Sequence, residues 1–288
     1  MFARLNILLQ HLLPHHAISR FTGRVTRIRW RPFKNALTAV FVRLYRPDLV
    51  DAAEPDPYAY EHFNAFFTRA LKPGARPLDG DAATLVSPVD GRMSQSGDID
   101  HNLIVQAKGW NYTLEALLAG AAEEWAPRFM HGSFATIYLA PYNYHRIHMP
   151  ADGTLREAWY VPGRLFSVSA LAAREVPNLF ARNERVVLLF DGATGPFALV
   201  LVGALNVGSM ATVWHGDVTP RRPRVATKLP LPPEGTRLLA RGEEVGRFNM
   251  GSTVILLFAS GTVELDRIEA GATMRLGQRL GRLSRPAS

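Results

Sequence analysis

Val254-Ile255-Leu256-Leu257-Phe258 is an unbroken apolar run, β-branched at its start and headed by Gly251-Ser252-Thr253. With no polar residue alternating along it, the run has no face to give to water, and it reads as a strand buried on both sides. A chain with such a strand must cover both faces of a sheet. At 288 residues and 47% hydrophobic composition there is enough apolar material to do so in one or two domains. Gly251 lets the backbone bend or be approached closely, because no Cβ stands in the way. The Ser252 hydroxyl then lies at the mouth of a rigid element. Read alone, the triplet is simply a turn into a core strand.

Elsewhere, 23 glycines and 20 prolines fall among short apolar runs, which favours strands and turns over a helical bundle. Strands are expected at Leu85–Val86, Leu103–Gln106, Phe134–Leu139, Leu155–Val161, Val186–Phe190, Phe197–Val202, Val207–Val213 and Thr253–Phe258, with one helix, Thr113 to Ala119, among them. Phe197 to Trp214 carries no charge, but Gly203, Asn206, Gly208, Ser209 and Thr212 interrupt it. It divides into two buried strands rather than a spanning helix.

The net charge of +8 is unevenly placed. Nine cations (Arg4, Arg20, Arg24, Arg27, Arg29, Arg31, Lys34, Arg43 and Arg46) precede the first acid, Asp48, so 8 − 9 leaves the rest of the chain at −1. An anionic partner for the N-terminal segment follows. Met1 to Leu13 has helical apolar spacing until Pro14 but is too short to cross a bilayer. Ile28 to Tyr45 repeats the combination of apolar spacing and arginine, which suits the plane of an anionic membrane surface. No nucleic-acid module is visible, so nucleic acid is not expected as a partner. Tyr58 to Leu71 reads as a further helix, stopped by Lys72-Pro73-Gly74. A helical N-terminal region (1–71) and a β-rich core (72–288) are therefore expected.

There is no cysteine, which removes disulfides, thiolate nucleophiles and cysteine metal sites. Two histidines, His145 and His148, lie between Pro141 and Pro150. Their spacing and the missing glutamate do not fit a helical zinc motif, so no metal is expected. A loop between prolines is the expected setting, with each imidazole free to serve as acid or base near neutral pH. In Ser87-Pro88-Val89-Asp90-Gly91-Arg92, Asp90 is either a turn former or a carboxylate that orients an imidazole beside a serine.

Taken together and in order, these stretches resemble the phosphatidylserine decarboxylase family, pyruvoyl-dependent enzymes that make phosphatidylethanolamine. The resemblance rests on Ser87 to Arg92, Lys108-Gly109, Tyr112 to Leu117, Tyr144 to Pro150, Val161 to Val168, Gly203-Ala204, Val207 to Ser209 and Phe248 to Phe258, and it spans nearly the whole chain. One departure is Met250, where bacterial members often carry leucine; it leaves the Gly251-Ser252 bond itself unchanged.

The resemblance implies an α+β fold whose β-rich core of mostly antiparallel short strands carries a helical, basic, membrane-associating N-terminal extension. It implies a proenzyme cut between Gly251 and Ser252, with His148, oriented by Asp90, taking the Ser252 proton as the hydroxyl attacks the Gly251 carbonyl. Elimination and hydrolysis convert Ser252 to a pyruvoyl group, which binds the substrate amine as a Schiff base and serves as the electron sink. A β chain (1–251) and an α chain (252–288) remain associated. His145 is the candidate for returning a proton to the substrate. Phosphatidylserine, an anionic membrane surface and a second copy of the chain are the implied partners, at the cytoplasmic face of a bacterial inner membrane. The residues alone also allow an uncut serine hydrolase using Ser252, His148 and Asp90, or a lipid-binding module without activity. The hydrolase reading lacks the Gly-x-Ser-x-Gly elbow.

Overall fold

The computed structural model describes residues 13–107, 109–204, 209–219, 224–249 and 252–284. The expected helix at Met1 to Leu13, the Lys108 and Val207-Gly208 positions and the Met250-Gly251 pair lie outside the described residues, in whole or nearly so.

The apolar run becomes a strand, Ser252–Phe258, buried at every position. It pairs antiparallel with Gly195–Val202 on one side and Ser133–Leu139 on the other. From there the sheet extends through Arg185–Gly192 to Gly153–Val161 in one direction and to Gly91–Asp98 in the other. Side chains alternate across it as strand geometry requires. Val254, Leu256 and Phe258 enter one apolar cluster, and Ile255 and Leu257 enter the other. The first cluster is closed by smaller strand layers that contribute Leu85, Ile147, Met210, Val245 and Phe248. The second is closed by helical residues, including Leu114, Leu117, Trp125, Phe129 and Phe180. The molecule is therefore α+β with antiparallel sheets, as the strand pattern leads one to expect.

The eight expected strands are all present within a few residues of their expected limits, the Val207–Val213 strand only as Met210–Thr212. The expected helix after Thr113 forms as Leu114–Leu118, with the Thr113 hydroxyl capping the Ala116 amide. Several expectations need correction. Tyr58 to Leu71 is helical only over Phe63–Phe67, because His62 caps a new N-terminus there by accepting from the Ala65 amide. The histidine stretch is not wholly a loop: Arg146–His148 is a short strand paired with Glu244–Phe248. Neither Gly91–Asp98 nor Glu244–Phe248 carries an apolar run, and both take their strand geometry from their neighbours.

In the N-terminal region Pro14 begins a helix, α1 (His15–Val25), and α2 (Arg31–Tyr45) follows with Pro32 in its first turn. Their burial is inverted relative to an ordinary surface helix. The sides against the body bury His15, Ser19, Gly23, Lys34 and Thr38, together with Phe41. Phe21, Trp30, Val40 and Leu44 instead face outward, from 56% to 71% exposed, beside exposed Arg20, Arg24, Arg31 and Arg43. Lys34 is held by two carbonyls, Tyr58 O and Tyr60 O, both at 2.7 Å. No described helix is long and apolar enough to cross a membrane.

Candidate active site

Ser252 opens the central strand opposite Leu139, on the same sheet face as Val254. It is fully buried, and its Oγ has no hydrogen-bond partner among the described residues. Thr253 Oγ1, on the opposite face, is also buried, without a partner among the described residues. Buried hydroxyls are normally satisfied, so an unpaired pair beside Gly251 is a local cost that calls for a reason.

Just before the Gly-Ser bond, Asn249 is clamped from three directions. Its amide donates to Ser209 O at 2.8 Å, its Oδ1 accepts from Asn64 Nδ2 at 3.1 Å, and its Nδ2 donates to Ser209 Oγ and to Asp217 Oδ1. Phe248 N donates to His145 O at 2.9 Å, which ties the histidine segment to the same turn.

His148 is mostly buried, and its ring is held at both nitrogens. The 2.8 Å contact from Nδ1 to Gly242 O requires the proton on Nδ1, since a carbonyl only accepts. Nε2 is then the basic atom, and it accepts from the Tyr144 hydroxyl at 3.0 Å. Burial lowers the His148 pKa, against the Gly242 hydrogen bond and the Glu244 charge, with Asp90 a smaller raising influence. The ring is thus a neutral base at neutral pH.

His145 is also bound through Nδ1, to Asn143 O at 2.8 Å, and its ring packs on Phe67 with centroids 4.2 Å apart. Its Nε2 is buried with no partner among the described residues. Burial pushes its pKa down to about 3.

The segment carrying Asp90 runs beside His148, whose amide donates to Pro88 O at 2.9 Å. The carboxylate itself goes elsewhere. Arg76 grips it through Nε at 3.1 Å and Nη2 at 2.7 Å, and the Leu276 amide donates to Oδ1 at 2.8 Å. Arg76 also bonds Asp51 at 2.6 Å. The hydrogen bonds that orient the His148 ring therefore come from Gly242 and Tyr144, whereas Asp90 acts on it only through space.

The chain thus brings Ser252, His145, His148 and the Asp90 segment to one end of the central sheet, with Gly251 outside the described residues. Tyr144, Asn249, Asn64 and Arg76 complete the surroundings, and the sequence does not single them out for that part. Tyr144 and Asn249 each lie within a few residues of a flagged position, a weak signal. Arg76 and Asn64 arrive from distant segments and give none. Among the described residues no group of three or more His, Asp or Glu side chains could hold a metal ion.

Comparison with known proteins gives the family. The sequence profile described as phosphatidylserine decarboxylase matches residues 63–282, and a second, described as PSD, matches residues 5–46. A phosphatidylserine decarboxylase proenzyme of Ectopseudomonas mendocina (strain ymp) is 53% identical over 283 residues, covering 98% of this chain and 99% of the relative. Proteins of the same description from Pseudomonas putida (strain GB-1) and Methylibium petroleiphilum are 53% and 54% identical, over 97% and 96% of this chain and 98% and 97% of theirs.

Proposed function

This chain belongs to the phosphatidylserine decarboxylase family, and on that premise we propose that it is a proenzyme that decarboxylates phosphatidylserine to phosphatidylethanolamine and carbon dioxide after cutting itself between Gly251 and Ser252. The observation that carries the reading is the sealed, unpaired Ser252 hydroxyl at the start of the central strand. A hydroxyl without a partner has given up its solvation and is free to act as a nucleophile on its own preceding carbonyl.

His148 takes the Ser252 proton at Nε2, the atom that carries a lone pair in the tautomer fixed by Gly242. Tyr144 keeps that atom pointed and buried until it is needed. Asp90, neutralised in part by Arg76, favours the transient imidazolium through space. The Arg76–Asp90 pairing argues against a hydrolase triad, in which the carboxylate would bond the imidazole directly.

The group expected at Ser252 is pyruvoyl, and the setting fits it: the serine that would be converted is fully buried at the start of the central strand, with its hydroxyl unpartnered among the described residues. Such a group supplies an electron-accepting carbonyl for loss of carbon dioxide. His145 then has the role of proton carrier to the substrate. With a pKa of about 3 it is neutral while the site is sealed, and an arriving anionic head group stabilises its protonated form.

After the cut the two chains stay together through the sheet. Ser252–Phe258 is hydrogen-bonded on both edges by strands of the preceding chain, and Arg279–Leu283 pairs with Thr84–Val86. The outward apolar and arginine side chains of α1 and α2 support peripheral attachment to an anionic membrane, the inner membrane of a bacterium on the family expectation, as is homodimerisation.

The deciding measurement is the intact mass of the purified protein. Two chains, with residue 252 present as pyruvoyl and the shorter chain resistant to Edman sequencing, support the proposal. One chain with an unmodified serine in an active preparation removes it.

A further inference from the structure

A cleft of about 660 Å³ opens between the N-terminal helical layer and the core strands, and four arginines line it: Arg27, Arg69, Arg146 and Arg247. Two of them are already neutralised. Arg27 pairs with Asp217 at 2.8 Å, and Arg146 pairs with Glu244 at 2.9 Å. Arg69 and Arg247 have no carboxylate in ion-pair range among the described residues. Arg69 is only 3% exposed, and its hydrogen bonds are long ones to backbone carbonyls, Asp48 O at 3.5 Å and Tyr142 O at 3.3 Å. Its Nε and Nη1 are buried without a partner, as is Nε of Arg247. A guanidinium is always charged and always a donor, so two of them left short of acceptors in one wall describe half of an ion pair. Planar N–H donors of this kind match phosphate oxygens.

The cleft adjoins the reaction centre. Arg247 lies on the strand that leads to Asn249, Asn64 in the cleft wall bonds the Asn249 side chain, and Arg146 stands between the two histidines. Arg69 also borders a smaller cleft of about 220 Å³, but there Arg46, Arg76 and Arg275 share the lining with Asp48, Asp51 and Asp90. Arg76 is paired with two of those carboxylates, so the charges of the smaller cleft are closer to balance than those of the larger. In the larger cleft Asp217 is occupied by Arg27 and Asn249, and the Glu54 carboxylate accepts from the Asp56 amide.

We propose that this cleft is a phosphate-oxyanion site in which Arg69 and Arg247 supply the donors. The phosphodiester of a lipid head group and free inorganic phosphate share that chemistry. The lipid assignment rests on the decarboxylase reading, while the anion site does not.

The test uses the self-cleaved wild-type protein, Arg247→Gln, Arg69→Gln and Arg247→Lys. Inorganic phosphate binding is followed by ³¹P line broadening, and KM and kcat are measured for phosphatidylserine in mixed micelles. Arg247→Gln is expected to weaken phosphate binding about tenfold, with partial recovery in Arg247→Lys. If KM rises about tenfold with a smaller change in kcat, the occupant is the lipid phosphodiester. If phosphate binding is lost while KM is unaltered, the occupant is free phosphate. If neither quantity moves in Arg247→Gln, the proposal is overturned, whether or not the more buried Arg69→Gln protein folds. Failure of the decarboxylase reading is seen separately, as an uncut, inactive wild-type chain.

Discussion

The central strand and helix α2 are built from similar side chains and use them in opposite ways. Val254 to Phe258 hide every apolar group inside the sheet sandwich, behind two buried hydroxyls, Ser252 Oγ and Thr253 Oγ1, without partners among the described residues. In α2 the polar Lys34 and Thr38 are turned inward, and Val40 and Leu44 are left to the outside. Apolar area in the first case stabilises the fold. In the second it is left outside beside exposed arginines, on the face through which the proposed attachment to an anionic membrane would act. Burial of a side chain thus says what it is for only when the direction of its neighbours is known.

The sharpest break between the two regions is at Ser252. Ser252→Ala should abolish both chain cutting and carbon dioxide release, read by denaturing gel and by headspace assay, while vesicle binding through α1 and α2 continues. A cut, active Ser252→Ala protein would sink the assignment of the nucleophile.

Leucine truncation in each region sharpens the contrast. Leu256→Ala removes a fully buried side chain and should cost about 2–5 kcal/mol in chemical denaturation. Leu44→Ser, at a residue 71% exposed, should change stability by no more than about 0.5 kcal/mol. Combined with Trp30→Ser, it should weaken binding to phosphatidylglycerol-containing vesicles by about tenfold or more in a sedimentation assay. Equal stability losses in both regions would mean that the outer face of α2 is packed after all.

Acid distinguishes the regions next. His145 has an ordinary pKa of 6.5 when unfolded and about 3 in the native state, so between those values the unfolded chain binds the extra proton. Stability is therefore expected to fall as pH drops from about 6.5 toward 3, and His148, shifted the same way, adds to the slope. His145→Gln should flatten the curve of denaturation midpoint against pH; an unchanged slope would place the acid sensitivity elsewhere.

Among the catalytic changes, the effect of Tyr144→Phe is expected to be smaller than that of Ser252→Ala, since it only leaves His148 Nε2 without its donor. Self-cleavage should slow by about tenfold, as followed by the time course of chain separation, with the fold intact.

Much of this arrangement was legible in the residues. The two-sided strand, its paired neighbours at Phe134–Leu139 and Phe197–Val202, and the split of the uncharged stretch by glycines follow from apolar patterning, a local property. The strands Gly91–Asp98 and Glu244–Phe248 were not legible, because their pairing partners and not their own side chains hold them extended. Asp90 was legible as a candidate site residue, but its ion-pair partner was not: a carboxylate's nearest cation, Arg76, depends on how a loop folds back.

The order of residues by itself determined the Gly251-Ser252 bond, the strand behind it, the surplus of N-terminal cations and the membership of a decarboxylase family. Those are chemical identities and short-range periodicities, and they survive without a fold. Only the tertiary structure decided that Tyr144 and Gly242 hold His148, that α2 leaves Val40 and Leu44 outward while burying Lys34 and Thr38, and that Arg69 and Arg247 meet in one cleft with no carboxylate in ion-pair range among the described residues. Each of these depends on contacts between segments far apart in the chain, and the free energy of a buried polar group is set by the neighbours it finds there.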